Sequence, residues 1–226
     1  MEERIHSIGI GPGSLDFLTA KGKALIEQAD VVSGFQAVVD IIQPLISKEA
    51  KVIILTYKNQ TDELNKVADE YKAGKRCAVV YMGDLHFSGF QMLERVDLAL
   101  GFETPTVPGI SSAQIMASKT RVCFDETTFV TFHRRGDLEP FKKHLVQVLK
   151  DDRNSIIIPL PWSFMPKDIA QFLIESGIPS DHKVEVWENL TRNEASWEGQ
   201  LGDCTQEFSD MSIMLVRTRN PMESQI

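Results

Sequence analysis

The chain has 226 residues, 42% of them hydrophobic and 25% charged, with a formal net charge of −8 at pH 7. Such a chain folds as one large soluble domain or two compact α/β ones, and its acidic balance argues against generic nucleic-acid binding. No apolar run approaches the roughly 20 residues that span a bilayer, and the opening MEERIHSIG runs straight into a strand pattern with no room for a signal peptide. Cys77, Cys123 and Cys204 are scattered and form no C-x-x-C pair, which reads as reduced thiols in a cytoplasmic protein, without a disulfide framework or a metal site. The negative charge leaves room for an anionic small molecule, since a local basic pocket can still hold one.

Strand-like runs alternate with amphipathic stretches along the chain. IHSIGI (5–10) and ADVVSGF (29–35) read as strands separated by a helical FLTAKGKALIEQ. KVIILTY (51–57) precedes a helix from Asp62 to Ala73, where Leu64, Val67, Ala68 and Tyr71 recur at helical spacing. CAVVYMG (77–83) is an apolar strand followed by a helical FQMLERVDLAL. This alternation predicts a largely parallel sheet with helices on both faces.

TPTVPG (104–109) interrupts the pattern, which puts a domain junction there: 1–109 as the first α/β domain and 110–226 as the second. In the second half TTFVTF (127–132), SIIIPL (155–160), KVEVWENL (183–190) and MSIMLVRT (211–218) read as strands. PFKKHLVQVLK (140–150) and KDIAQFLIESG (167–177) read as helices, the latter ending at a C-cap glycine. Alternation weakens towards the end, so this sheet is expected to be mixed. The closing NPMESQI reads as a frayed end.

Ligands of open α/β sheets collect outside the carboxyl ends of strands, and three unusual loops fall there. The first is Gly9-Ile10-Gly11-Pro12-Gly13. It approximates the G-x-G-x-x-G dinucleotide turn, but Ser14 stands where the third glycine belongs, and Pro12 removes an N–H that would have faced phosphate. The loop suits close approach of backbone to a ligand other than a dinucleotide. The second is MGDLHFSG (82–89), with Gly83 and Asp84 directly after a strand. The third is VPGISSAQ (107–114), with Ser111 and Ser112 at a helix start. Alone, a Gly-Asp turn is most often only a turn and a Ser-Ser pair an N-cap; together they point to a small-molecule site.

The order GIGPGSLDFLT, GD-x-x-F-x-G, VPGISS resembles the tetrapyrrole (corrin/porphyrin) methylase family over nearly the whole chain. TFHRRGD (131–137) and VWENLTRNEASWEGQL (186–201) further resemble its cobalt-precorrin-7 C5-methylating branch. The resemblance implies two α/β domains with the active site in the trough between them. It also implies S-adenosyl-L-methionine as cofactor, S-adenosyl-L-homocysteine as product, and methylation of C5 of (cobalt-)precorrin-7 in cobalamin biosynthesis. Alternatives are another tetrapyrrole position or acceptor on the same fold, or a non-catalytic ligand-binding module. By the same resemblance Gly11, Pro12 and Gly13 line the methionine end of the cofactor, Gly83, Asp84 and Phe87 form a second wall, and Ser111 and Ser112 a third. Asn189 and Leu190 would contact the adenosine end. Asp84 is the candidate catalytic residue, or binds the cofactor's amino group; its ordinary alternative is an Asx-turn cap. His133, Arg134 and Arg135 would grip the substrate's carboxylates, arginine pairing with them bidentately; a solvated basic turn is the plain alternative. Trp162 and Phe164, after the strand SIIIPL, would contact adenine or macrocycle, or belong to the core. Family members tend to be homodimers, and C15 methylation with decarboxylation is often fused to them; this chain is expected to rely on a separate partner for that step.

Two residues depart from the family pattern. Leu85 stands where Gly-Asp is usually followed by proline, and Arg134 replaces the glycine of H-G-R. An arginine there is strained if the position needs positive φ. Asp30, near where a ribose-binding acid would sit in a dinucleotide fold, reads as a strand-start residue.

Overall fold

The computed structural model describes residues 3–219, so the closing NPMESQI lies outside them. The chain divides into two compact units, Met1–Ser111 and Ser112–Ile226.

The first unit runs β1 (Ile5–Gly9), α1 (Ala20–Glu27), β2 (Val31–Phe35), α2 (Gln36–Ile42), β3 (Lys51–Leu55) and α3 (Gln60–Lys72). It continues with β4 (Cys77–Tyr81), α4 (Leu85–Ser88), α5 (Phe90–Leu100) and β5 (Thr106–Val107). The five strands form one parallel sheet in the order β3-β2-β4-β1-β5. Alternate side chains enter two cores. Ile5, Cys77, Val79 and Tyr81 pack with Leu64 and Val67 of α3 and Leu93 and Val96 of α5. Ile8, Ala78 and Val80 pack on the other face with Ile26 of α1 and Val39 and Ile42 of α2. Both faces are covered, which is why the strands read as continuous apolar runs.

TPTVPG is not a bare linker, because Thr106 and Val107 pair with Ser7 and Ile8 as the fifth strand. The helix α2, packed against β2 and β3, was not anticipated. QAVVDII is only seven residues long and rich in β-branched side chains, which weaken a helical signal.

The second unit carries α6 (Ser112–Thr120), β6 (Thr127–Thr131), α7 (Glu139–Lys150), β7 (Asn154–Ile158) and α8 (Pro166–Glu175). It ends with β8 (Lys183–Glu188), β9 (Ala195–Gln200) and β10 (Ser212–Val216). Its sheet has the order β6-β7-β10-β8-β9; β6 and β7 are parallel and the remaining pairs antiparallel. The sheet is mixed, as the fading alternation predicts. α8 closes as expected at a glycine: Gly177 has φ +83° and the Ile178 amide donates to the Leu173 carbonyl at 3.0 Å. The strand β9 gives no strand pattern because five of its six residues are exposed or half-exposed polar or small ones; it is held by pairing with β8 and by Trp197, which packs on the core beside Phe208.

Candidate functional site

β1 and β4 are neighbours, yet β1 leads away to β2 on one side and β4 leads to β5 on the other. Loops leaving their carboxyl ends therefore diverge to opposite faces, the situation in which open sheets leave a binding crevice. The first-unit loops singled out from the sequence meet here. Gly11 and Gly83 form an isolated antiparallel bridge, the Gly11 amide donating to the Gly83 carbonyl at 3.2 Å and the Gly83 amide to the Gly11 carbonyl at 2.8 Å. Both have positive φ, +86° and +64°, which glycine adopts without strain.

Gly9 and Gly109 complete the junction. A Cβ on Gly109 would lie 2.1 Å from the Gly83 carbonyl oxygen, and one on Gly9 would lie 2.7 Å from both that oxygen and the Gly109 nitrogen. Three backbones thus touch where any side chain would force them apart. Both glycines lie in the loops that the sequence marks, at the end of β1 and in VPGISSAQ, although neither was among the expected ligand contacts.

Asp84 ties this junction together. Its Oδ1 accepts from the His86 amide at 2.8 Å, capping α4, and its Oδ2 accepts from the Gly109 amide at 2.9 Å. The side chain is buried. The Asx cap is therefore present, joined by a second, long-range bond. Leu85 follows as the first residue of α4, a position that needs no intrahelical N–H and so accepts proline. Here the leucine side chain is fully buried in the core that also holds Ile5, Val79 and Tyr81. The departure from Gly-Asp-Pro replaces a stiff ring with core packing.

After Gly13 the chain does not enter a helix directly. Ser14 caps a 3₁₀ turn at Leu15–Phe17, and α1 starts only at Ala20, its Gly22 amide donating to Thr19 Oγ1 at 3.1 Å. A dinucleotide turn aims a helix N-terminus at phosphate from the loop itself, and this geometry lacks that arrangement. Asp30 lies elsewhere: it pairs with the Arg76 guanidinium and amide at the amino ends of the strands, and Arg76 lowers its pKa to about 2. A cavity of about 100 Å³ also opens at that end, among Arg4, His6, Arg76 and Cys77, remote from the glycine junction.

Phe87 is half-buried on α4 and Ser111 is buried, whereas Ser112 is half-buried at the start of α6. In the second unit Asn189 follows β8 with φ +50°, its amide donating to the Met211 carbonyl at 3.0 Å, and Leu190 is buried.

His133, Arg134 and Arg135 leave the carboxyl end of β6 beside the turn that leaves β7, since Thr131 and Ile158 are in parallel register. Arg134 does not take positive φ; that conformation falls on Gly136, at +102°. The Arg134 guanidinium instead stacks over Phe141 of α7, 4.0 Å from the ring centroid, which fixes its plane while leaving in-plane donors. Partial desolvation lowers the pKa of His133, which reaches solvent at this turn, and so favours its neutral imidazole; the two arginines supply the positive charge. Of the aromatic pair, Phe164 belongs to the core, edge-on to Phe132 at 4.9 Å, whereas Trp162 is 78% exposed.

Among the described residues no three His, Cys, Asp or Glu side chains gather as a metal site, and no helix is long and apolar enough to cross a membrane.

Residues 4–205 match the family model described as Tetrapyrrole (Corrin/Porphyrin) Methylases. A curated protein of Methanocaldococcus jannaschii named probable cobalt-precorrin-7 C(5)-methyltransferase is 34% identical over 191 residues, spanning 83% of this chain and 84% of that one. The structure of the methyltransferase CobJ superposes with a TM-score of 0.80 at 19% identity, covering 95% of this chain and 94% of the other. That of a precorrin-6Y methylase from Archaeoglobus fulgidus gives 0.69 at 23% identity, covering 96% and 98%.

Proposed function

The chain belongs to the tetrapyrrole (corrin/porphyrin) methylase family, and from that premise we propose that it is an S-adenosyl-L-methionine-dependent C-methyltransferase of corrin biosynthesis acting on C5 of cobalt-precorrin-7. The observation that carries the reading is the 34% identity, over most of both chains, to a relative bearing that name. In the same reading the protein acts in the cytoplasm as a homodimer.

The glycine junction fits such a cofactor. Its polar groups are backbone amides, backbone carbonyls and the Asp84 carboxylate, with no cationic side chain in 9–13, 83–84 or 107–109. That donor set suits a sulfonium cation and a zwitterionic methionine end better than a phosphate. When bound, the cofactor supplies an electrophilic methyl group for in-line displacement by an electron-rich ring carbon. The chain's own contribution is proximity, orientation and exclusion of water. Gly11, Pro12 and Gly13, with Gly83, Asp84 and Phe87, hold the methionine end. Asp84 acts chiefly by fixing the loop bearing Gly109, its two oxygens already accepting backbone amides. Arg134 and Arg135 grip the acceptor's acetate and propionate groups, and His133 contributes a neutral hydrogen-bonding imidazole.

The test is calorimetric titration with S-adenosyl-L-homocysteine, followed by turnover of cobalt-precorrin-7 with labelled S-adenosyl-L-methionine. Binding and gain of one methyl group on the macrocycle support the reading. Turnover of a different tetrapyrrole moves the acceptor, binding without any turnover favours a ligand-binding module, and absence of binding removes the methylase reading.

A further inference from the structure

The segment PLPWSFMP forms a tight turn at the carboxyl end of β7. The Leu160 amide donates to the Phe164 carbonyl at 3.1 Å, and the Phe164 and Ser163 amides donate back to the Leu160 carbonyl at 3.0 and 3.2 Å. Phe164 anchors the turn in the core against Phe132 and Phe172, with the Lys142 ammonium 4.9 Å from its ring centroid. On this braced turn Trp162 has φ +63° and stands 78% exposed. Two unfavourable features coincide there: a bulky side chain in left-handed backbone, and an indole left in water. Strain retained at one position of a well-braced turn points to a use for the side chain it presents.

The neighbourhood says what that use is. The turn lies beside the His133–Arg135 loop, because β6 and β7 are parallel and in register up to Thr131 and Ile158, and the Phe132 amide reaches the Ile158 carbonyl at 2.8 Å. The turn that carries this exposed indole and the loop that carries the two arginines thus leave the carboxyl ends of two neighbouring parallel strands. A ligand matching this pair is planar, conjugated and edged with carboxylates. We propose that Trp162 is a substrate-positioning residue on which the flat face of a carboxylate-bearing tetrapyrrole stacks while Arg134 and Arg135 hold its edge. This inference rests on the methylase reading above.

Uroporphyrin III, a flat conjugated tetrapyrrole bearing acetates and propionates, is the probe. Its Soret band is followed in titrations of wild type, Trp162→Phe, Trp162→Ala and Trp162→Gly, each also titrated with S-adenosyl-L-homocysteine. Removing the ring is expected to weaken uroporphyrin binding about tenfold, the scale of one lost aromatic stacking contact. Trp162→Phe should retain most of the affinity, and the S-adenosyl-L-homocysteine affinity should not move. Trp162→Gly should lose the same affinity with an unchanged or higher melting temperature, since glycine suits the positive φ; a merely structural tryptophan would show the opposite. Unchanged uroporphyrin affinity in Trp162→Ala overturns the proposal, as does a change in oligomeric state alone, which would give the indole to a second copy. Wild type that binds S-adenosyl-L-homocysteine but no uroporphyrin also overturns it, whereas wild type that binds neither removes the methylase reading itself.

Discussion

The Asp84 carboxylate and the Gly109 amide meet at 2.9 Å across 25 residues of sequence, linking the loop after β4 to the loop after β5. The other oxygen of the same carboxylate caps α4. One buried side chain therefore sets both the start of a helix and the spacing of two loops. Asp84→Ala leaves two backbone donors without that partner, and should destabilise the protein by about 1–3 kcal/mol. Asp84→Asn, keeping one acceptor oxygen, should fall between it and wild type in urea unfolding. If Asp84→Ala weakens S-adenosyl-L-homocysteine binding without any loss of stability, the carboxylate touches ligand directly and its bracing role is secondary.

Glycine substitutions should sort by what a Cβ meets. At Gly109 it would press on the Gly83 carbonyl, and backbone on that side has no freedom to retreat. At Gly101, also with positive φ (+80°), it would meet nothing within 4 Å. Gly101→Ala should cost about 1 kcal/mol from backbone strain alone, whereas Gly109→Ala should cost several times more or prevent folding. Melting temperatures of the two variants decide this, and equal losses would mean the junction is looser than its contacts indicate.

Restoring the family's proline is expected to be mild. Asp84 has φ −112° and ψ 135°, the extended conformation that a residue before proline requires, and Leu85 is the first residue of α4. Leu85→Pro keeps the loop and part of the apolar volume. Leu85→Ala keeps the backbone but empties a fully buried site, at about 2–5 kcal/mol. A chemical denaturation series should therefore rank wild type above Leu85→Pro, and Leu85→Pro above Leu85→Ala.

Alkaline pH should weaken the fold. Burial pushes the Cys77 thiol up to about 12, with the nearby Glu70 and Asp30 carboxylates adding to it, and burial pushes Cys204 up to about 11, against an ordinary value of 9.0. Because both folded values are raised, the stability they contribute is whole below pH 9.0 and declines as pH rises through 11 and 12. Tyr81, raised mainly by burial, adds to the same loss at still higher pH. Urea midpoints measured against pH should fall over this range, with a shallower fall in Cys77→Ala. Iodoacetamide should modify Cys123, the one exposed thiol, in the native protein and reach Cys77 and Cys204 only on unfolding.

The two basic residues before Gly136 should separate by role. Arg134 is stacked on Phe141, so Arg134→Lys loses the planar fork and much of the stacking, and should lower both stability and uroporphyrin affinity. Arg135 is exposed, and Arg135→Ala should weaken uroporphyrin binding in a salt-dependent way with little change in melting temperature. Two variants with the same stability loss would contradict this division.

The apolar strand runs and the glycine positions made the first sheet and its carboxyl-end loops readable in advance, because both signals are local. What stayed hidden depended on partners distant in sequence. Thr106 and Val107 form a strand only because Ser7 and Ile8 offer an edge, and β9 exists only because β8 does. The meeting of Gly9, Gly83 and Gly109 belongs to the same class, since no spacing rule joins residues so far apart. Arg134 shows the reverse case: its position would be strained only at positive φ, and that conformation falls on Gly136 two residues later.

The place of β1 between β4 and β5 has a consequence for synthesis. β1 gains its first neighbour only with residues 77–81 and its second only with 106–107. Long-range parallel pairing of this kind is slow and leaves apolar edges uncovered meanwhile. The bond from Gly109 to Asp84 then works as the latch of that half: it closes only after every strand of the first sheet has emerged, so the glycine junction is the last part of it to acquire its shape.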